Sequence, residues 1–194
     1  MKPTRILLSG IATLALLAGC GGASKVIEVA DKAKDIAQGV VEFNDADVMF
    51  AQMMIPHHEQ AIELSDIALD PTVGASEAVK SLATRIKRAQ DPEILIMKGF
   101  LTTWRKSTTM DSSMNHGDMM SGMLSATQME ELSAKRGADF DLAFMNGMIA
   151  HHEGAVDMAA DVLKDGKNLA VNALAKKITS AQDAEITEMK KLLG

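Results

Sequence analysis

The stretch "DVMFAQMMIPHHEQAIELSDIAL", residues 47–69, aligns without a gap to "DLAFMNGMIAHHEGAVDMAADVL", residues 141–163. A second matched pair follows: "VKSLATRIKRAQDPEILIMK" from Val79 and "VNALAKKITSAQDAEITEMK" from Val171. Apolar residues recur at three- and four-residue intervals in all four segments, the period of amphipathic helices. "LDPTVGAS" and "KDGKN" carry turn residues between the helices of each pair. The repeating unit is therefore helix, turn, helix, and it occurs twice. Two hairpins cover their apolar faces most economically as a four-helix bundle, so the fold expected is all-α.

Composition agrees with packed helices. Hydrophobic residues make up 47% of the 194, enough for a core, while aromatics are 3% with no Tyr and one Trp. Ala, Leu, Ile and 15 Met must fill the interior instead. The net charge is −6 and no basic stripe occurs, which argues against nucleic acid as a partner.

On a heptad grid, Asp47, Met54, Ala61 and Ala68 share a line, with Phe50, His57 and Leu64 beside it. The second copy gives Asp141, Met148, Ala155 and Val162, with Phe144, His151 and Met158. His58 and His152 flank these inward seams by about 100°. Glu59 and Glu153 lie further round and read as surface carboxylates. The partner helices present Val79, Ala83, Ile86, Gln90, Glu93, Met97, Phe100 and Trp104, and then Val171, Ala175, Ile178, Gln182, Glu185, Met189 and Leu192. A Gln and a Glu therefore interrupt an apolar stripe in both copies, at a cost unless something binds them.

Ideal antiparallel hairpins put His57 level with Gln90 and Glu93, and Met54 between Glu93 and Met97. In the second hairpin His151 falls beside Gln182 and Met148 beside Glu185. Pro56 removes one helical hydrogen bond and predicts a kink ahead of the first His pair, where the second copy has Ala150 with Gly147 before it.

Imidazole and thioether together are a soft-metal ligand set, suited to copper, above all Cu(I), and by analogy to Ag(I). Met54–His58 and Met148–His152 are four apart and share a helix face. The candidate metal residues are Met54, His57, His58, Glu93, Met97, Met148, His151, His152, Glu185 and Met189, with Asp47, Gln90, Asp141 and Gln182 in a second rank. The segment between the hairpins, residues 106–123, is polar and reads as a mobile loop. Its Met110, Met114, His116, Met119, Met120 and Met123 join that second rank, because a loop has no core for Met to fill. "LSATQMEEL" then opens a short helix that Ser125 caps, with Gln128 three residues on. Because a ligating His must be neutral, metal affinity is expected to fall as pH drops through about 6.5.

The N-terminus reads as targeting rather than fold. Lys2 and Arg5 precede an apolar run from Ile6 to Leu17, too short to span a bilayer comfortably. Leu17-Ala18-Gly19-Cys20 resembles the lipobox of bacterial lipoproteins, whose signal is cut before the Cys and whose Cys receives lipid. Cys20 is the sole Cys, so no intramolecular disulfide forms. The division expected is a signal at 1–19, then the lipidated Cys20, a "GGAS" tether and an N-terminal helix from Val26 to Phe43 within 20–46. The first hairpin occupies 47–104, the Met-rich loop and short helix 105–135, and the second hairpin 136–194. Residues 47–194 together form one bundle domain. A chain anchored by acyl groups on Cys20 sits at the cell envelope, on the extracytoplasmic side of a bacterial membrane.

The pattern D-x-x-F-x-x-x-M-I-x-H-H, followed by A-Q-x-x-E-I-x-x-M, closely resembles the bacterial family known as domain of unknown function 305. The match spans Asp47 to Trp104 and again Asp141 to Leu193. The resemblance implies an exported protein with a ferritin-like helical fold, and links some members to copper handling. Its characteristic positions fall here on Met54, His57, His58, Gln90, Glu93 and Met97, and on Met148, His151, His152, Gln182, Glu185 and Met189. That family often has Gln-Gly after the two His; Glu59-Gln60 and Glu153-Gly154 depart from it, which weakens a ligand role for those two Glu.

Three function classes stay open on sequence alone. The first is a copper-binding protein that sequesters or hands on the ion, with a metal-handling partner or a second copy of itself. The second is a structural or interaction bundle whose polar seam only sets helix register. The third is a metal-dependent enzyme. It is the weakest, because no GxSxG, P-loop, HExxH or CxxC occurs and no nucleophile stands out.

Overall fold

Residues 42–110 and 120–194 are described by the structure, a computed structural model. Five helices follow in order: α1 (Asp45–Leu69), α2 (Glu77–Thr103), α3 (Ala126–Ala134), α4 (Gly137–Asp165) and α5 (Leu169–Leu193). α1 packs on α2 and α4 on α5, the two expected hairpins, and α1 packs on α4 to join them. The short α3 lies against α4. No described helix is long and apolar enough to cross a membrane. The helix expected from Val26 lies outside the described residues except for its last two. Of these, Phe43 stacks on Trp104 at 4.7 Å, and Phe100 stacks on the same indole at 5.5 Å.

Local sequence sets most boundaries. Asn44 and Asp47 form a reciprocal capping box at the start of α1. Ser76 caps α2 and Asn168 caps α5. Ser125 caps α3 in a box with Gln128, as its sequence predicts. α1 continues through Pro56 without a break; the expected interruption does not end the helix.

Two seam residues turn out to stitch the hairpins. Asp47 is fully buried and accepts from the backbone N–H of Lys167 and Asn168, each at 3.1 Å, in the α4–α5 turn. Asp141 accepts from the Ser76 N–H at 3.1 Å in the α1–α2 turn. Each hairpin's first helix thus begins at the other hairpin's turn, which sets α1 antiparallel to α4. A Cβ at Gly166 would stand 2.7 Å from Asp47 Oδ1, so this turn needs glycine for the approach. The site residues Asp47 and Asp141 proposed from the seam are therefore occupied as backbone caps.

The interior is split. One apolar cluster gathers Phe50, Met54, Met97, Leu101, Trp104, Val162, Val171 and Ile178 among others. The other gathers Leu64, Val79, Ile86, Phe140, Phe144, Met148, Ile186 and Met189. On every long helix the residues that separate the two are polar: His57 and His58, Gln90 and Glu93, His151 and His152, Gln182 and Glu185. All but Glu185 are buried, and its side chain is only 15% exposed. One inward assignment fails. Leu192 is 44% exposed, and the half-buried Leu193 packs on the second cluster instead.

Candidate metal centre

The heptad seam brings the equivalent residues of α1 and α4 face to face. The rings of His57 and His151 lie 3.7 Å apart between centroids, tilted by 39°. Register within a hairpin suggested that these two would meet the facing Gln and Glu. The structure gives that place to their neighbours. His58 Nε2 lies 3.1 Å from Glu93 Oε2, and His152 Nε2 lies 2.7 Å from Glu185 Oε2. The reason is angular: the 100° between successive residues turns one His toward the hairpin partner and the other toward the opposite hairpin. Glu93 Oε1 also takes Lys177 of α5 at 3.2 Å, a cross-hairpin ion pair that no motif foretold. Its counterpart in the first copy, Arg85, reaches instead to Glu188.

All four imidazoles are fully buried, and so are Met54, Met97, Met148 and Met189. The thioethers bracket the polar layer in a symmetric way: Met54 and Met97 of the first hairpin lie in one apolar cluster, Met148 and Met189 of the second in the other. Glu59 and Glu153 are exposed and pair with Lys98 and Lys190, the surface role read for them.

Many donor atoms in the layer have no protein partner. They are Nδ1 of His57, His58 and His152, both ring nitrogens of His151, both amide atoms of Gln90 and Oε1 of Gln182. An unsatisfied buried polar group costs about 1–3 kcal/mol, so this layer is expensive as a purely structural device. Among the described residues, no three His, Cys, Asp or Glu side chains group as a ready cage for an ion. The side chains in and beside the layer are imidazoles and thioethers, donor types that suit a soft monovalent ion better than zinc or a hard cation.

Burial also sets the charge. It pushes His57 down to about 3, helped by the neighbouring His58 and opposed by the Ser121 carbonyl. Burial lowers His151 well below the ordinary value, with His57 adding to it. His58 is lowered by burial too, although the bond to Glu93 pulls the other way. Burial alone would raise Glu93, but the bonds from His58 and Lys177 outweigh it and hold the carboxyl low. Burial thus favours the neutral, metal-competent form of His57, His58 and His151, so for these three the loss of affinity expected near pH 6.5 moves to lower pH.

The Met-bearing segment divides. Met114, His116 and Met119 lie outside the described residues. Met110 and Met120 are half-buried and pack against the first apolar cluster, and the Gln52 side chain holds the chain nearby through the Ser107 carbonyl at 2.8 Å. Met123 is half-buried in a cleft with Leu132 and Gly147. The described thioethers of the segment expected to be a mobile loop are thus half-buried against the bundle, while residues 106–109 are exposed. A second cleft of about 620 Å³ opens between α1 and α4. Its wall holds Met49, Met53 and Met158, four Asp, and Ser121 and Gly154 beside the His pair.

The fold and this layer define a class: an internally duplicated all-helical bundle with His, Met and Glu side chains brought together inside it. The chain belongs to the family described as domain of unknown function (DUF305), whose model matches residues 47–193. A DUF305 fragment from Deinococcus radiodurans is similar at 32% identity and TM-score 0.69, over 78% of this chain and 97% of that one. A DUF305 protein from Streptomyces coelicolor, described as a presumed secreted protein, is 30% identical with TM-score 0.67, over 76% and 90%. CopM in its Cu(II)-bound form is 31% identical with TM-score 0.63, over 75% and 94%. CopM has also been solved in Cu(I)-bound and Ag-bound forms, which match at 30% and 28% identity. No curated protein matches the chain.

Proposed function

We propose that this protein binds copper, as Cu(I) foremost and Ag(I) by the same chemistry, and sequesters or hands on the ion at the bacterial envelope. One observation carries the reading. Four fully buried imidazoles share a layer with unpartnered nitrogens, and four fully buried thioethers flank it. Thioether and imidazole suit Cu(I), and a dry interior penalises any unpaired polar group that the ion would satisfy. Met54, His57, His58, Met97, Met148, His151, His152 and Met189 are the proposed ligands. Glu93 and Glu185 bond His58 and His152 and orient them. CopM's copper- and silver-bound forms support the choice of ion.

Cys20 and the apolar run before it support a lipid anchor on the extracytoplasmic face, with the bundle held to the membrane by acyl chains. The role proposed is binding of the ion. The test is titration of the purified mature chain with Cu(I) and Cu(II) against a competing chelator. Binding tighter than micromolar for at least one ion is expected; none for either would overturn the reading.

A further inference from the structure

The duplicated helices are most alike at the two His and differ at three nearby positions. Where α1 has Met53, Pro56 and Gln60, α4 has Gly147, Ala150 and Gly154. The structure shows what lies there. The end of the connection between the hairpins, Met120–Leu124, runs as a strap along this face of α4. The Leu124 side chain sits 3.5 Å from the Cβ position of Gly147. Gly122 takes φ +82°, and a Cβ on it would stand 2.1 Å from the Ala150 carbonyl oxygen. A Cβ on Gly154 would stand 1.9 Å from the Ser121 carbonyl oxygen, an approach that no side chain permits.

The other helix holds the strap in place. The Gln60 side chain grips the Leu124 backbone at both ends, donating to its carbonyl and accepting from its N–H, each at 2.8 Å. At the centre, the Ser121 carbonyl lies 3.3 Å from His57 Nε2. A carbonyl can only accept, so this contact places the imidazole proton on Nε2. His58 and His152 face carboxylates with the same nitrogen. Three rings therefore carry their proton on Nε2 and leave a bare lone pair on a buried, unpartnered Nδ1. His151 has neither a carboxylate nor the strap against its ring; the His57 backbone is the group beside it.

We infer that the Ser121 strap, clamped by Gln60 and admitted by Gly154, is the positioning partner of His57, and that Nδ1 is the metal-facing nitrogen of His57, His58 and His152. The inference rests on the copper-binding reading of the same layer. It assigns to a neutral carbonyl the task that a carboxylate performs for the other two rings, so His57 is the least basic of the three ligands. Fixing an imidazole's second nitrogen in this way commonly changes metal affinity by about 10- to 100-fold.

The mature chain labelled with 15N-His tests it. Long-range proton–nitrogen NMR on the metal-free protein should show the Nε2–H tautomer at His57, His58 and His152. Gly154→Ala, which would raise helix stability at an ordinary position, should lower it here, mix the His57 tautomers and weaken Cu(I) binding about tenfold or more. Gln60→Ala loosens the strap without crowding it and should shift the His57 tautomer in the same direction, so the test survives if the first variant does not fold. An Nδ1–H tautomer at wild-type His57 overturns the inference. So do an unchanged tautomer and unchanged Cu(I) affinity in the variants. The tautomer is read without metal, so a wild-type chain with the assigned tautomers but no Cu(I) binding would sink the copper reading and leave the strap as His57's orienting contact.

Discussion

Acid should unfold the metal-free bundle long before its carboxylates titrate. In the folded chain burial holds His57 neutral down to about 3; in the unfolded chain an imidazole takes its proton near 6.5. Between those values the unfolded state binds one more proton than the folded one at this residue. Stability is therefore constant above pH 6.5 and falls as pH drops below it. Each pH unit costs about 1.4 kcal/mol per such His, so His57 alone removes about 2 kcal/mol between pH 6.5 and 5. His58 and His151 are displaced in the same direction and add to the loss. Glu93, held low by His58 and Lys177, extends it below the ordinary carboxylate range, where its charge is finally neutralised. Against a total stability of about 5–15 kcal/mol, this is a large fraction. Urea unfolding of the metal-free mature chain, followed by far-UV circular dichroism from pH 7.5 to 5, measures it. The midpoint should hold steady to about pH 6.5 and then fall steeply. In His57→Leu the fall should be shallower by about one imidazole's share. A midpoint independent of pH over this range, or a His57→Leu variant with the full wild-type slope, would refute the account of the buried layer.

Three further outcomes follow from the same geometry. Replacing both His57 and His151 by Ala should abolish the tightest Cu(I) equivalents, whereas deleting residues 108–119 should remove only weaker ones; the reverse pattern in a chelator competition would place the tight site in the loop. Met54→Leu with Met148→Leu conserves volume, so thermal unfolding should register a cost below about 1.5 kcal/mol per site, while Cu(I) affinity drops because the thioethers are gone. Asp47→Ala should cost about 1–2 kcal/mol in urea unfolding, because it leaves the Asn44, Lys167 and Asn168 N–H groups without their acceptor, yet copper stoichiometry should not change.

The sequence exposed the hairpins, the seams and the short α3, because each rests on local signals: a 3.6-residue period, a cap, a turn. It placed His57 and His151 inward for the same reason. It did not show that they meet each other, since the register of one hairpin on the other depends on contacts more than 60 residues apart in the chain, such as Asp141 with Ser76. Asp47 and Asp141 looked like ligand candidates because a carboxylate on an apolar seam calls for a partner. Their partner is backbone in the opposite turn, which no periodicity reveals. The strap left one legible trace, the divergence of Met53, Pro56 and Gln60 from Gly147, Ala150 and Gly154 inside otherwise matched segments. Nothing local in Gly147 and Ala150 says why they differ from the first copy; a strap must be seen to be inferred.

The position of the His pair favours one shared layer over two separate ones. In a bundle of two related hairpins, residues near the relating axis meet their own copies, and here those residues are His57 and His151 at 3.7 Å. Away from the axis each hairpin contributes its own His, Glu and two Met: His58, Glu93, Met54 and Met97 on one side, His152, Glu185, Met148 and Met189 on the other. The halves therefore touch through the central pair, and Lys177 ties the second hairpin to the Glu93 of the first. Side chains in contact do not respond independently, so losing His57 should disturb the proposed ligands of both hairpins. A symmetric dimer of hairpins would impose the same residue on both faces of that axis. A single chain escapes this constraint. It keeps the His identical on the two faces and varies the positions one turn away, so that α4 admits a strap and α1 clamps it. The asymmetry lies where a bound ion would otherwise see two equivalent halves, and it gives His57 the strap carbonyl of Ser121, which His151 lacks.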